Sequence, residues 1–346
     1  METNTNKPRV FFSVIESLRG LAALGVVAYH FANGTLPTVS PIFFGSQMEW
    51  ARQGIPLFFV ISGFVIPYSM FIAKYELRDA GRYFLKRMVR MAPPAWIAIF
   101  MIMGIYLVGM WVNGRPIQGM TWPGFSFESI GANFLFSFVL FDVEKFIEVY
   151  WTLEVEFQFY LAIALIFPLL IRFKDNKWML SVVFLALSST YFLHSERVLF
   201  FKMNSYFIMG MLLFMYKAKL VDRNYFVGAS AIASIVCYVQ LGQAMACASV
   251  IGVLVIGLVN FKNPVLDFLG MISFSLYITH HNVGVVSEYL LRNISGMEPS
   301  QPVKFIMFFV YLGIAVAFAY VFHRFVEKPF HRISQRISMK RKPVVA

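Results

Sequence analysis

Apolar runs of about 17 to 24 residues recur along almost the whole chain, each long enough to cross the hydrocarbon core of a bilayer as a helix. A backbone in hydrocarbon must satisfy every N–H and C=O internally, so repeated runs of this length leave a helical bundle as the fold. They fall near 11–32, 52–73, 91–112, 149–172, 178–194, 198–217, 224–241, 244–260, 268–291 and 303–325. A weaker run at 131–141 is too short to span and is expected to be re-entrant or interfacial. The predicted fold is therefore an all-α integral membrane protein with about ten transmembrane helices. Only 14% of residues are charged and 59% are hydrophobic, against about 25% charged in soluble domains. No stretch between the runs is long enough to bury a core of its own, so no soluble domain is expected. One membrane domain covers 1–346, with its core at 11–330 and a basic tail at 331–346.

Ten spans put both termini on one side. In that arrangement 22 of the 30 Lys and Arg residues collect on that side, 7 on the other, and Arg19 lies within the membrane. Counting 131–141 as a span would carry the basic 172–177 segment and the tail outward. The positive-inside rule therefore favours ten spans with both termini cytoplasmic, in a cell (inner) membrane. It also accounts for the net charge of +12. The bases sit in short segments between spans with no nucleic-acid-reading motif, so the expected partner is the lipid bilayer and not nucleic acid. Arg19 interrupts the first run and no small-residue cleavage site follows, so this run reads as the first membrane helix rather than a signal peptide. Cys237 and Cys247 match no metal or redox spacing, and no metal is expected.

Ionisable residues inside a span are costly, roughly 2.5–3.5 kcal/mol for a central arginine, and so point to function. Arg19 and His30, eleven residues apart, share one helix face about 16 Å apart along the axis. Arg19 then lies toward the cytoplasm and His30 near the outer surface. Within 54–66, Ser62 and Gly63 permit close helix packing, and Ser62 offers a hydrogen bond to the interior. Lys86, Arg87 and Arg90 stand just before Pro93. They read as a positive-inside anchor or as a phosphate clamp, since guanidinium pairs match phosphate oxygens in bidentate geometry. Glu154 and Glu156 open the fourth run about 200° apart, so they cannot share a face. Glu156 comes at a depth similar to His30, and a carboxylate bonded to an imidazole fixes its tautomer for general-base work. Farther on, Ser273, Ser275, Tyr277, Thr279, His280 and His281 form a polar stripe of the kind that lines a cavity or a helix contact. Glu327, before Pro329, is placed to pair with the basic cytoplasmic loops. Trp50, Trp111 and Trp122 in the outer loops read as an interfacial belt or as sugar-stacking groups.

Six of these signals occur in a telling order. They are Arg19-x10-His30, "LFFVISGF" (57–64), Lys86-Arg87-x2-Arg90-x2-Pro93, "WTLEVEFQFY" from Trp151 to Tyr160, "SFSLYITH" (273–280) and Glu327-x-Pro329. Together they resemble the acyltransferase type 3 family, integral membrane proteins that O-acetylate sugars and polysaccharides in bacteria. The resemblance runs from Ser17 to about Pro329. Thr152 stands where the family usually has Ser, Phe157 where a second Glu is common, Lys86 where Arg is common and Phe274 where Tyr is common. The register Trp151-x4-Glu156 makes Glu156, not Glu154, the match to the family carboxylate.

The resemblance implies a donor and a route. Acetyl-CoA would dock from the cytoplasm with its phosphates on Lys86, Arg87 and Arg90, and its arm would pass Arg19 toward His30. His30 would deprotonate the acceptor hydroxyl with Glu156 as its partner, while Tyr277 or Ser62 supports the oxyanion. An acyl-histidine route stays open beside direct transfer. Trp151, Tyr160, Ser273, His280 and Glu327 complete the set as substrate-binding or supporting residues. The implied acceptor is a carbohydrate hydroxyl at the outer side, on exopolysaccharide, O-antigen or another cell-surface glycan; a small molecule or lipid would leave the chemistry unchanged. Some relatives carry a soluble hydrolase-like domain after the last helix, and none is expected here. The same buried Arg, His and Glu also suit a transporter path, which dependence on CoA separates.

Overall fold

The computed structural model describes residues 7–36, 38, 48–114, 126–193, 197–295 and 299–339, without the side chains of 7–13, 292, 294 and 295. Trp122 and the tail bases from Lys340 onward lie outside the described residues. The described chain is helix and connecting turn, with no strand among the described residues. In order the helices are α1 (Lys7–His30), α2 (Gly54–Ile72), α3 (Ala80–Asn113), α4 (Phe127–Phe134), α5 (Trp151–Arg172) and α6 (Lys177–Ser189). They continue as α7 (Leu199–Lys217), α8 (Arg223–Leu241), α9 (Gln243–Leu258), α10 (Pro264–Ser295), α11 (Gln301–Phe322) and α12 (Lys328–Arg336).

Seven segments among the described residues are long and apolar enough to cross a membrane. They are Val14–Thr35, Glu49–Ile72, Leu77–Asn113, Glu148–Arg172, Leu199–Lys217, Arg223–Leu241 and Gln301–Arg336. The sequence-based count of about ten is thus met by seven on length and composition. α6 and α9 are apolar but only 13 and 16 residues long, because the helix stops before the apolar run does. α10 has 32 residues and carries the polar stripe. α4, at 8 residues, is about 12 Å long and does not cross.

Two boundaries differ from the sequence pattern. α3 begins at Ala80, not near 91, and runs 34 residues through Pro93 and Pro94. Prolines at these positions leave the carbonyls of Val89 and Arg90 without their usual helical donors. Helices in a membrane bundle tolerate this where neighbouring groups re-satisfy the backbone. Lys86, Arg87 and Arg90 therefore sit inside a helix and not in a connecting segment. At the other end, a π turn at His323–Glu327 joins α11 to α12, so the expected basic tail is helical as far as Arg336.

α1 lies along α10 and touches α2, and α2 lies along α7. Two glycine crossings set those distances. A Cβ on Gly20 would come 2.6 Å from the Gly270 amide nitrogen, and one on Gly270 would collide with the Glu16 carbonyl. Likewise a Cβ on Gly63 would strike the Phe207 carbonyl, and one on Gly210 the Val60 carbonyl. Small residues let helix backbones touch in lipid, where packing replaces the hydrophobic effect. α7 is buried continuously from Asn204 to Met215, as befits a helix apolar on all sides. α8, with 11% of its span buried, faces outward. Polar side chains tie the bundle: Asn204 donates to the Leu187 carbonyl (2.6 Å), Asn282 to the Ala98 carbonyl (2.8 Å), and Ser205 to Gln240.

A Gly210→Val substitution is expected to push α2 from α7 and cost roughly 1–3 kcal/mol or more through overpacking. Gly104→Ala, with nothing within 4 Å of the added carbon, is expected to be neutral. Thermal unfolding of the two purified variants in one detergent measures the contrast.

Candidate active site

Five helices, α1, α2, α3, α5 and α10, enclose a cavity of about 190 Å³. Its polar wall is Glu16 and Arg19, Ser62, Arg87 and Arg90, Thr152, Glu156 and Tyr160, then Ser273 and Tyr277. Arg87 and Arg90 reach it together because residues three apart share a helix face. Arg87 donates to Ser69 Oγ (3.1 Å), and its guanidinium lies 5.7 Å from the Tyr83 ring centre and 5.6 Å from that of Tyr160. Those ring faces offer the cation partial compensation. Among the described residues no carboxylate forms an ion pair with Arg19, Arg87 or Arg90. Three guanidiniums, each partly buried, share this wall with the carboxylates of Glu16 and Glu156, which form no ion pair with them among the described residues, so the arginines are available to receive an anion.

The two glutamates at the head of α5 divide the work that their angular separation predicts. Glu154 is fully buried. It accepts the backbone N–H groups of Val139 (2.9 Å) and Leu140 (3.1 Å), in the turn after α4. Asn133 fixes the same segment, donating to the Glu144 carbonyl and accepting from the Phe146 N–H, each at 2.9 Å. Glu156 instead faces the cavity, where it accepts from Ser62 Oγ (3.2 Å) and the Tyr160 hydroxyl (2.7 Å). Phe157, at the position of a common family Glu, packs its ring on Phe84 and Phe136.

His30 ends α1 and is followed by a kinked turn, Phe31–Thr35, in which Asn33 and Gly34 are non-helical. It does not line the cavity. Its ring lies 5.2 Å from Tyr29 and 5.3 Å from His280, centre to centre. His280 lies 5.9 Å from the Tyr277 ring, and Tyr277 lines the cavity beside Phe58. The Tyr277 hydroxyl donates to the Val149 carbonyl (3.0 Å) and stands 2.7 Å from Thr152 Oγ1. His30 is therefore linked to the cavity through His280 and Tyr277, while Glu156, its partner in the sequence reading, bonds Ser62 and Tyr160. Arg52, Glu148 and His281 stand within electrostatic range of His30.

The remaining sequence candidates separate by position. Glu327 is buried in the π turn, accepting from Ser275 Oγ (2.6 Å) and contacting His323 Nδ1 (2.9 Å), within electrostatic range of Arg19 and Arg90. It thus faces the arginines from within the bundle more than the loops. Ser273 lines the cavity and donates to the Gly270 carbonyl (2.8 Å). Lys86 and Trp151 do not line it; the Trp151 ring lies 6.4 Å from Phe59. Glu16 and the Glu154 clamp are additions that the motif order did not flag. Glu16 had a signal, three residues before Arg19 on the same face.

Residues 12–324 match the model of a family described as "Acyltransferase domain". A protein named "Protein 2 in picA locus", from Rhizobium radiobacter, is 27% identical over 112 residues, covering 32% of this chain and 54% of that protein. The chain thus spans about half the length of that curated relative. No solved structure matches the chain.

Glu154→Ala leaves two buried N–H groups without an acceptor, at about 1–3 kcal/mol each. It is expected to lower the unfolding midpoint strongly, whereas Glu156→Ala is expected to lower it less. Thermal unfolding of both variants in detergent compares the two carboxylates.

Proposed function

The chain belongs to the acyltransferase family whose model spans residues 12–324, and we propose that this membrane acyltransferase moves an acetyl group from cytoplasmic acetyl-CoA to a carbohydrate hydroxyl at the outer side. The observation that carries the reading is the meeting of Arg19, Arg87 and Arg90 on one cavity, with no carboxylate ion-paired to any of them among the described residues. The residues fit such a donor: guanidiniums suit its phosphates, and the hydroxyls of Ser62, Thr152 and Tyr277 suit the amide-bearing arm. Lys86, one residue from Arg87 but outside the cavity wall, adds to the attraction at long range.

In this reading α6, α9 and α10 join the seven long apolar segments to make ten spans, which returns both termini to the cytoplasm. The donor enters at the Glu327 end and its thioester reaches the His30 end, a separation of about 16 Å measured from Arg19 along α1. His30 accepts the proton of the acceptor hydroxyl as that oxygen attacks the thioester carbonyl. Tyr277 stands at the boundary between cavity and His30 and can steady the oxyanion that forms only by turning its hydroxyl from the Val149 carbonyl. On collapse the C–S bond breaks, and the imidazolium returns its proton to the CoA sulfur. The products are the acetyl ester and free CoA. Glu156, held by Ser62 and Tyr160, shapes the electrostatics among the arginines.

Acetyl-CoA consumption and CoA binding by the purified protein test this reading. Arg87→Ala or Arg90→Ala is expected to weaken CoA binding about 10- to 100-fold, the loss of a charge-assisted bond. His30→Ala is expected to keep that binding and lose about 10²- to 10⁴-fold in turnover, the range of a general base. If the wild type neither binds CoA nor releases thiol from acetyl-CoA, the transfer mechanism fails and a transport path through the same charges becomes the reading to pursue.

A further inference from the structure

We infer that His280 is the positioning residue for His30, accepting the N–H of the base and so fixing its tautomer. This rests on the reading of His30 as the general base. His280 is 0% exposed, and its Nδ1 lies 2.7 Å from the Tyr277 carbonyl oxygen. A carbonyl only accepts, so Nδ1 carries the proton and Nε2 carries a lone pair. That Nε2 is buried and has no hydrogen-bond partner among the described residues. Buried acceptors are normally satisfied, so an orphan of this kind calls for a donor.

The neighbouring rings narrow the choice of donor. Three stand around His280: His30 at 5.3 Å, Tyr277 at 5.9 Å and Phe31 at 6.5 Å between centres. Phe31 has no donor. The Tyr277 hydroxyl is already engaged with the Val149 carbonyl and Thr152. Arg52, Glu148 and His281 act on His30 through charge, but none hydrogen-bonds either imidazole among the described residues. His30 remains, and it too has no hydrogen bond to the protein among the described residues. Two imidazoles joined by N–H···N have centres about 5 Å apart, one hydrogen-bond length plus the two ring radii. The observed 5.3 Å, with the ring planes 36° apart, is close to that separation, so the two imidazoles stand at the spacing such a bond requires.

The chemical consequence is specific. With one nitrogen donating to His280, the other nitrogen of His30 keeps its lone pair for the acceptor hydroxyl. When His30 takes up the proton, the same bond becomes charge-assisted and steadies the imidazolium. This is the task a carboxylate performs in a Ser-His-Asp triad. A neutral imidazole performs it at membrane depth without the burial cost of a second charge. Glu156 is then free to act among the arginines.

The test uses the full chain in nanodiscs, labelled with ¹⁵N-histidine, with His30→Gln to assign the His30 signals. One dominant His30 tautomer is expected in the wild type, giving way to a mixture in His280→Phe and restored in large part in His280→Gln, whose amide oxygen lies near the lost Nε2. With acetyl-CoA as the only substrate, thioester cleavage by His280→Phe is expected to fall about 10- to 100-fold in kcat, as for other outer-shell partners. KM for acetyl-CoA should stay within about twofold, and His280→Gln should regain most of kcat. A mixed His30 tautomer in the wild type overturns the inference whatever the variants do. So does an unchanged tautomer in His280→Phe, which would make His280 itself the base if kcat also fell. A tautomer that responds to His280 in a protein inert toward acetyl-CoA would keep the positioning role and sink the acyl-transfer reading.

Discussion

Arg19, Arg87 and Arg90 bring three guanidinium groups to one cavity inside a body whose surroundings are lipid tails. In a low-dielectric interior like charges repel strongly, and each of these partly buried groups has lost part of its hydration. Such a cluster persists only where polar groups converge on it from several directions. Three helices supply those groups here: Ser62 from α2, Tyr160 and Glu156 from α5, Ser273 and Tyr277 from α10. Tyr83 adds a ring face from α3 itself, and Glu327 a buried carboxylate at electrostatic range. The polar stripe of α10, which disqualifies it as an ordinary apolar span, becomes intelligible as part of this enclosure.

Holding so many polar groups around so small a space requires helices that cannot drift, and the glycine crossings provide it. Gly20 follows Arg19 and Gly63 follows Ser62 in sequence. Successive helix residues point about 100° apart. Pinning Gly20 against α10 and Gly63 against α7 therefore turns Arg19 and Ser62 toward the cavity as a geometric consequence. A side chain at either crossing would separate the backbones and rotate the neighbouring polar group as well. Packing and site geometry are in this sense one constraint seen at adjacent residues.

Much of this was legible in the sequence, and the gaps have physical causes. Apolar run length gave the helices, since hydrocarbon admits little else. Charge against apolarity marked Arg19, Arg87, Arg90 and Glu156, which meet on the cavity. The angular rule separated Glu154 from Glu156, but not what each would bond; the partners of Glu154 are backbone groups about fifteen residues earlier, and backbone amides leave no mark in a sequence. The start of α3 was misplaced because Pro93 and Pro94 read locally as a boundary, while membrane surroundings let the helix continue through them. The neighbourhood of His30 was hidden for a different reason. His280 is far away in sequence, and its nearness to His30 follows only from α1 lying along α10.

The irregular turns add the last constraint. The chain kinks at Phe31–Thr35, directly after His30, where Asn33 and Gly34 leave helical geometry, and a π turn at His323–Glu327 holds Glu327. A π turn inserts a residue into the helical register and frees backbone groups, and such turns concentrate at functional sites. The apolar runs end inside both turns, at 32 and 325, which marks a boundary without revealing the irregular turn that forms there. Between Arg19 and His30, by contrast, α1 is uninterrupted α-helix. The axial distance between arginine and imidazole is thereby fixed at about 16 Å by 1.5 Å per residue, while the departures from regularity lie beyond it. In the proposed reaction that regular segment acts as the ruler between donor phosphates and reacting thioester, and the irregular ends are where the chain can accommodate what enters and leaves.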